Sequence, residues 1–398
     1  MARLWQAIGL RRVLVTTLCL AAWRALEYVP VTGLNSDFID ARLFSLRLAS
    51  PIHAIGAGPP FATYSIALIG LTPYITALMA MTVIQGISAR VHAIGRTPEG
   101  WRRLQRWTRA IAITLAAGQA FGWASLMESS TFWYAALGWL PRLLVVAELT
   151  GGTVLLILLA DLIDEFGLGF GSGAFLIYVL GPVAIQVQTL AFTFSSDPSI
   201  EALFRPIGIC LVFSIGVVAA SVAVLLAVRR VKGSVDLKIL MSGVIRPPVF
   251  AQTLLALAVY YTNYVAISNP SVVVWIRDSL TPYGPNPWTN VAFVVVEAAL
   301  IIGFTILVVT LDFRWSGVPA KVRKRYTRLA FIGGSFLALA VVVVPVLDWN
   351  LTIAEGRGTP MSGLSTVLVA AVILAIVGRI EAAAHTGKGL LIQMSPLP

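Results

Sequence analysis

Residues Ser65 to Ile75 read SIALIGLTPYI and run on through Thr76 to Ser88 as one apolar stretch, interrupted by Pro73. In a membrane helix a proline frees the carbonyl one turn back, so a bend is expected here, with neighbouring helices re-satisfying the freed group. Such a bend marks a buried, functional helix. Leu71 and Ile75 stand four apart and share a face, and Ser65, Thr72 and Thr76 form a stripe of small polar groups beside it. One wall of a pore and plain helix packing both fit this stretch taken alone.

The rest of the composition fixes the class. Of 398 residues, 58% are hydrophobic and 12% charged, and the mean hydropathy is +0.86. That excludes an ordinary soluble domain and implies an integral membrane protein. Cys19 and Cys210 lie in separate apolar runs, and His53, His92 and His385 are scattered. This pattern argues against a disulfide framework or a metal cluster, and no cofactor is expected. A net charge of +11 raises the question of nucleic acid, but the bases alternate from loop to loop and do not form a binding patch.

With about 20 apolar residues per crossing, about ten spans are expected. The first five are Val13 to Val31, Tyr64 to Ser88, Thr108 to Leu126, Leu140 to Ile163 and Gly173 to Phe194. The second five are Arg205 to Val228, Pro247 to Ile267, Thr289 to Leu311, Arg328 to Leu347 and Ser362 to Arg379. The basic start MARLWQAIGLRR resembles a signal peptide, but the long run after it lacks a small-x-small cleavage pattern and reads as a retained first span. Lys and Arg near span ends stay in the cytoplasm. One side collects Arg3, Arg11 and Arg12, then Arg90, Arg96, Arg102, Arg103 and Arg106, then Arg229, Arg230, Lys232 and Lys238, and finally Lys321, Arg323, Lys324, Arg325 and Arg328. Both termini are therefore expected in the cytoplasm. The turn from Asp161 to Gly173 breaks the basic pattern, being acidic and glycine-rich.

The outer loop from Thr32 to Thr63 ends in GAGPPFAT, too proline-rich and flexible to begin an ordinary span. A surface linker and a re-entrant plug both fit it, since irregular backbone is tolerated at membrane depth where protein or water surrounds it. Five spans followed by five more suggest two pseudo-symmetric halves, 1–194 and 195–398, although no residue-level repeat is visible.

Several segments together resemble the SecY family, the central channel subunit of the protein translocon. SIALIGLTPYITALM is similar to the family's second span with its PYI tripeptide, here Pro73, Tyr74 and Ile75. TPEGWRRLQRWTRAIAITLAAGQAFG is similar to the loop and third span. TGGTVLLILLADLIDEFGLGFGSG, MSGVIRPPVFAQT and MSGLSTVLVAAVILAIVGRIEA resemble the fourth span, the start of the seventh and the tenth. The likeness runs from about Arg12 to Ala384 with the segments in family order.

The resemblance implies an all-α membrane protein of about ten helices around a central hourglass pore. Its apolar pore ring falls on Leu71, Ile75, Leu176, Leu180, Val249 and Leu368. Bulky aliphatics at such a waist exclude ions by dewetting yet yield to a passing chain. The plug falls on Ala57, Gly58, Pro59, Pro60, Phe61, Ala62, Thr63, Tyr64 and Ser65. The lateral gate falls on Thr72, Thr76, Gln119, and Gln252 or Thr253, and Arg24 matches a first-span arginine with Glu27 as its partner. Cytoplasmic partners would meet Arg102, Arg103, Arg229, Arg230, Lys232, Lys321, Arg323, Lys324 and Arg325.

The implied partners are a SecE-like subunit, a SecG-like one as a further candidate, a SecA-type motor ATPase or a ribosome, signal sequences and membrane lipid. The implied location is the bacterial cytoplasmic membrane. Two departures stand out. The loops after the sixth and eighth spans are short, and Arg246, Glu148 and Glu297 add charge to spans. They suggest a divergent or accessory paralogue. The expected function is a protein-conducting channel without enzymatic chemistry, since no phosphate loop and no grouping of nucleophile, base and metal is present. The alternatives are a paralogue that no longer conducts protein, or a secondary transporter using Glu148 or Glu297 as a proton carrier.

Overall fold

The computed structural model describes residues 10–27, 29–33, 65–129, 138–167, 173, 174, 177, 215, 219, 246–255, 257, 258, 287–314 and 320–343. Among these the structure is helical apart from turns and one antiparallel bridge between Pro30 and Ser65. The helices are α1 (Leu10–Leu26), α2 (Thr72–Ile87), α3 (Ala89–Gly95), α4 (Pro98–Ser129), α5 (Trp139–Phe166), α6 (Pro287–Arg314) and α7 (Ala320–Ala338), the last continuing as a π-helical turn, Leu339–Val343. Residues 246–255 are also helical. The chain divides into two compact units, one of Met1–Ile84, Arg90–Gly181 and Ala383–Pro398, the other of Gln85–Ala89 and Pro182–Ala382.

Among the described residues, Trp139–Phe166, Val291–Leu311 and Arg323–Val342 are each long and apolar enough to cross a membrane. The pair α2 and α3, bent by 116° at Ser88, makes a fourth candidate if it is counted as one span. Lipid tails give no hydrophobic drive for helices to associate, so packing and internal hydrogen bonds must do it.

In the first unit that requirement shapes α4, which buries Leu104, Thr108, Ala112, Ala116, Ala120 and Ala124, one residue every four along a single face. Small alanines let α5 lie close, and Ala120 and Ala124 meet Val145 and Leu149 of α5 together with Val31 and Ile69. α4 begins at Pro98, earlier than the expected start of the third span at Thr108, because TPEG supplies a helix cap. Pro98 occupies the first helical position, and the Gly100 N–H donates to the Thr97 hydroxyl at 3.1 Å, a side-chain cap.

In the second unit α6 buries Phe293, Glu297, Ile301, Thr305 and Val309, again four apart, and packs against α7. Several hydroxyls on these helices are satisfied within their own helix, as lipid demands. Thr305 donates to the Ile301 carbonyl at 2.7 Å and Thr310 to that of Ile306 at 2.6 Å.

Two expectations need correcting. Pro73 does not bend the middle of a span. α2 begins at Thr72, so Pro73 sits in the first turn, where its missing N–H costs no hydrogen bond, and residues 66–71 are turns leading into the helix. The bend falls at the other end, after Ile87. The first helix also stops at Leu26 and does not reach Val31, because Pro30 is extended and paired with Ser65.

Candidate functional site

The described part of the expected pore ring is Leu71, Ile75 and Val249. Leu71 caps α2, its carbonyl accepting the Ile75 N–H at 3.0 Å, so the two side chains stay one turn apart. Leu71 is 2% exposed and Ile75 and Val249 are 0% exposed, so none of the three faces outward. Leu176, Leu180 and Leu368 lie outside the described residues, as do the plug positions Ala57 to Tyr64.

Ser65, the last plug position, is buried, and its Oγ accepts the Ala67 N–H at 3.2 Å. It is fixed by its bridge to Pro30 and by the Ile66 N–H, which donates to the Val29 carbonyl at 3.0 Å. The two ends of the outer loop are thus stapled together. A third tie comes from α5. The Glu148 carboxylate accepts the Thr32 N–H through Oε2 at 3.0 Å and the Thr32 hydroxyl through Oε1 at 2.9 Å.

Sequence reasoning noted Glu148 as a stray charge and missed this role. The only local signal was a glutamate in an apolar span and a threonine just after VPV. Glu148→Ala is expected to cost about 2 kcal/mol, because it removes two hydrogen bonds to a charged acceptor. Thermal unfolding of the purified protein in detergent checks this, and a shift no larger than that of an exposed control such as Leu158→Ala would refute the clamp.

Of the gate residues, Thr72, Thr76 and Gln119 are half-buried. Thr76 donates to the Thr72 carbonyl at 2.8 Å, and Thr253, buried, donates to the Val249 carbonyl at 2.7 Å, so both hydroxyl protons are used inside their own helices. Gln252 hydrogen-bonds Glu297 of α6. Arg102, Arg103, Lys321, Arg323, Lys324 and Arg325 are exposed at the N-terminal ends of α4 and α7, whereas Arg229, Arg230 and Lys232 lie outside the described residues.

The stretch expected as an acidic turn from Asp161 is instead helical as far as Phe166, and its acids belong to the last turns of α5. Asp161 pairs with Arg109 of α4 at 2.9 Å, and Asp164 accepts the Gly173 N–H at 2.7 Å. These carboxylates hold structure together and are not an open acidic patch.

Residues 65–325, about two thirds of the chain, match the family model described as SecY. The chain belongs to the SecY family. Relatives named "Protein translocase subunit SecY" include one from Chlamydia trachomatis, 24% identical over 94% of this chain and 93% of its own. Another, from Staphylococcus aureus, is 28% identical over 93% of each. The fold matches a solved structure described as "The structure of a protein conducting channel" with a TM-score of 0.57 at 16% identity, covering 96% of this chain and 94% of that one. It also matches the yeast Ssh1 complex bound to the 80S ribosome, with a TM-score of 0.54 at 14% identity, covering 95% and 91%.

As a SecY-family protein the chain is a membrane-embedded channel subunit of a Sec-type translocase. The SecY segments quoted from the sequence fall largely within the matched region.

Proposed function

We propose that this chain passes unfolded secretory polypeptides across the bacterial cytoplasmic membrane and releases apolar helices sideways into lipid. One observation carries the reading: Leu71, Ile75 and Val249, the described positions that match the family's ring, are all aliphatic and buried. An aliphatic collar suits a polypeptide channel, because it excludes ions by dewetting and makes no specific hydrogen bonds that a moving chain must break. A solute transporter needs convergent polar groups at that depth instead.

In this reading the halves 1–194 and 195–398 flank the pore, Leu176, Leu180 and Leu368 complete its ring, and residues 57–65 form the plug on the outer side. Thr72, Thr76, Gln119, and Gln252 or Thr253 line the lateral gate. Both termini are cytoplasmic, with a SecE-like subunit, and a SecG-like one where present, bound alongside. The exposed bases Arg102, Arg103, Lys321, Arg323, Lys324 and Arg325, with Arg229, Arg230 and Lys232, supply a positive face for a SecA-type motor or a ribosome.

The test is a photocrosslinker at Ile75 in cells holding a stalled secretory precursor. Crosslinks to the precursor are expected from Ile75 and not from Leu158, which is exposed on α5. If the precursor crosses this channel with no crosslink from Ile75, the ring assignment fails. If it never engages the channel at all, a paralogue that no longer conducts protein takes its place.

A further inference from the structure

Four of the five residues on the buried face of α6 are at ease in a membrane span, three being apolar and Thr305 bonded to its own helix. Glu297 is the exception. It is 2% exposed, it lies between Phe293 and Ile301 on that face, and its helix is apolar enough to span the bilayer. Its carboxyl hydrogen-bonds Gln252, and its Oε1 is buried without a hydrogen-bond partner among the described residues. A carboxyl at such depth is expensive, and its presence asks for a reason.

The surroundings supply one. The 246–255 helix also meets α6 through apolar side chains. The Phe250 ring stands edge-on to Phe304 with centroids 5.6 Å apart, and Ala251 and Leu255 share a cluster with Phe293 and Ile301. Apolar surfaces of this kind specify rotation and register weakly, and a single buried polar pair specifies them well. Gln252 follows Val249 by three residues, and Thr253 follows it by four. Whatever holds Gln252 therefore sets the direction in which Val249 and Thr253 point.

We infer that Glu297 is a positioning residue for the 246–255 helix, acting through Gln252 to fix the rotation that aims Val249 into the ring and Thr253 at the gate. The inference rests on the channel reading above. It moves Gln252 from the lip of the gate to its scaffold, and it gives Glu297 a role that is not proton transport. An interhelical hydrogen bond in a membrane biases a two-state element by about threefold, equivalent to ~0.6 kcal/mol. That is enough to tune when the gate helix yields without locking it.

The test uses the full-length chain in its own membrane, with two readouts. One is the photocrosslink from position 249 to a stalled precursor. The other is the fraction of a marginally apolar test segment released into lipid. Glu297→Leu is expected to weaken the position-249 crosslink and to shift the released fraction about threefold at normal protein level. Glu297→Gln, which keeps a hydrogen-bonding partner for Gln252, stays near wild type. Gln252→Leu behaves as Glu297→Leu does, and the exchange of Gln252→Glu with Glu297→Gln restores both readouts.

Should Glu297→Leu not accumulate, the exchange decides: restored function upholds the pair, and failure to restore overturns it. Wild-type readouts in an accumulating Glu297→Leu chain also overturn it, leaving the channel reading intact. A wild-type chain that conducts the precursor with no crosslink from position 249 defeats the ring assignment and takes the inference with it.

Discussion

A Gly152→Val chain is expected not to accumulate in the membrane, and Gly152→Ala to lose about 3 kcal/mol, the upper end of what overpacking costs. A Cβ placed on Gly152 would run into the Ile66 carbonyl oxygen and stand 2.6 Å from its carbon. Both are backbone atoms, so no side chain can swing aside to make room. Nor can the turn containing Ile66 retreat easily, since its N–H is bonded to Val29 and its neighbour Ser65 is bridged to Pro30.

Glu148 lies one turn before Gly152 on α5, so successive turns of one helix hold the two ends of the outer loop. The carboxylate grips Thr32 and the bare glycine admits Ile66. Close backbone approach at a small residue is how membrane helices gain packing that the bilayer does not otherwise provide. Gly151 is the internal control, because nothing lies within 4 Å of a Cβ there. Gly151→Ala is expected to be neutral or stabilising by up to ~1 kcal/mol, the helix-propensity gain. Equal unfolding temperatures for the two alanine variants in detergent would refute the close approach.

How much of this was legible in the sequence depended on distance along the chain. Apolar runs, loop bases and the PYI and TPEG segments gave the membrane class and the family likeness, because each is a local pattern. Arg24 and Glu27 were readable as a pair for the same reason, lying three residues apart.

Glu148 was visible as an anomaly but its partner was not, since Thr32 is 116 residues away and nothing in either segment names the other. The same holds for Glu297 and Gln252. Pro73 was misjudged because a proline in an apolar run is compatible with a mid-span kink or with a helix start. What selects between them is the turn at 66–70, held by Val29 and accommodated by Gly152, both remote in sequence. The acidic stretch was likewise opaque until Arg109 and Gly173 supplied partners for Asp161 and Asp164.

The Arg24–Glu27 pair yields the second large effect, and its asymmetry makes it informative. Arg24 Nη1 lies 2.6 Å from Glu27 Oε2, with side-chain exposures of 31% and 4%. Removing Arg24 strands a carboxylate that is almost wholly buried just beyond the C-terminal end of α1, where the helix dipole is also unfavourable to negative charge. Removing Glu27 strands a guanidinium that is already a third exposed, carried on a long stem that can snorkel toward water.

Arg24→Leu is therefore expected to cost about 4 kcal/mol and Glu27→Leu nearer 3 kcal/mol, within the range for breaking a buried pair. The double replacement removes both charges along with the need for either. It is expected to lie within about 1 kcal/mol of wild type, a coupling far larger than independent sites show. Unfolding of the purified single and double variants in mixed micelles supplies the cycle. If the single losses simply add, or if Glu27→Leu is the more damaging change, the two side chains do not depend on each other in the way their geometry requires.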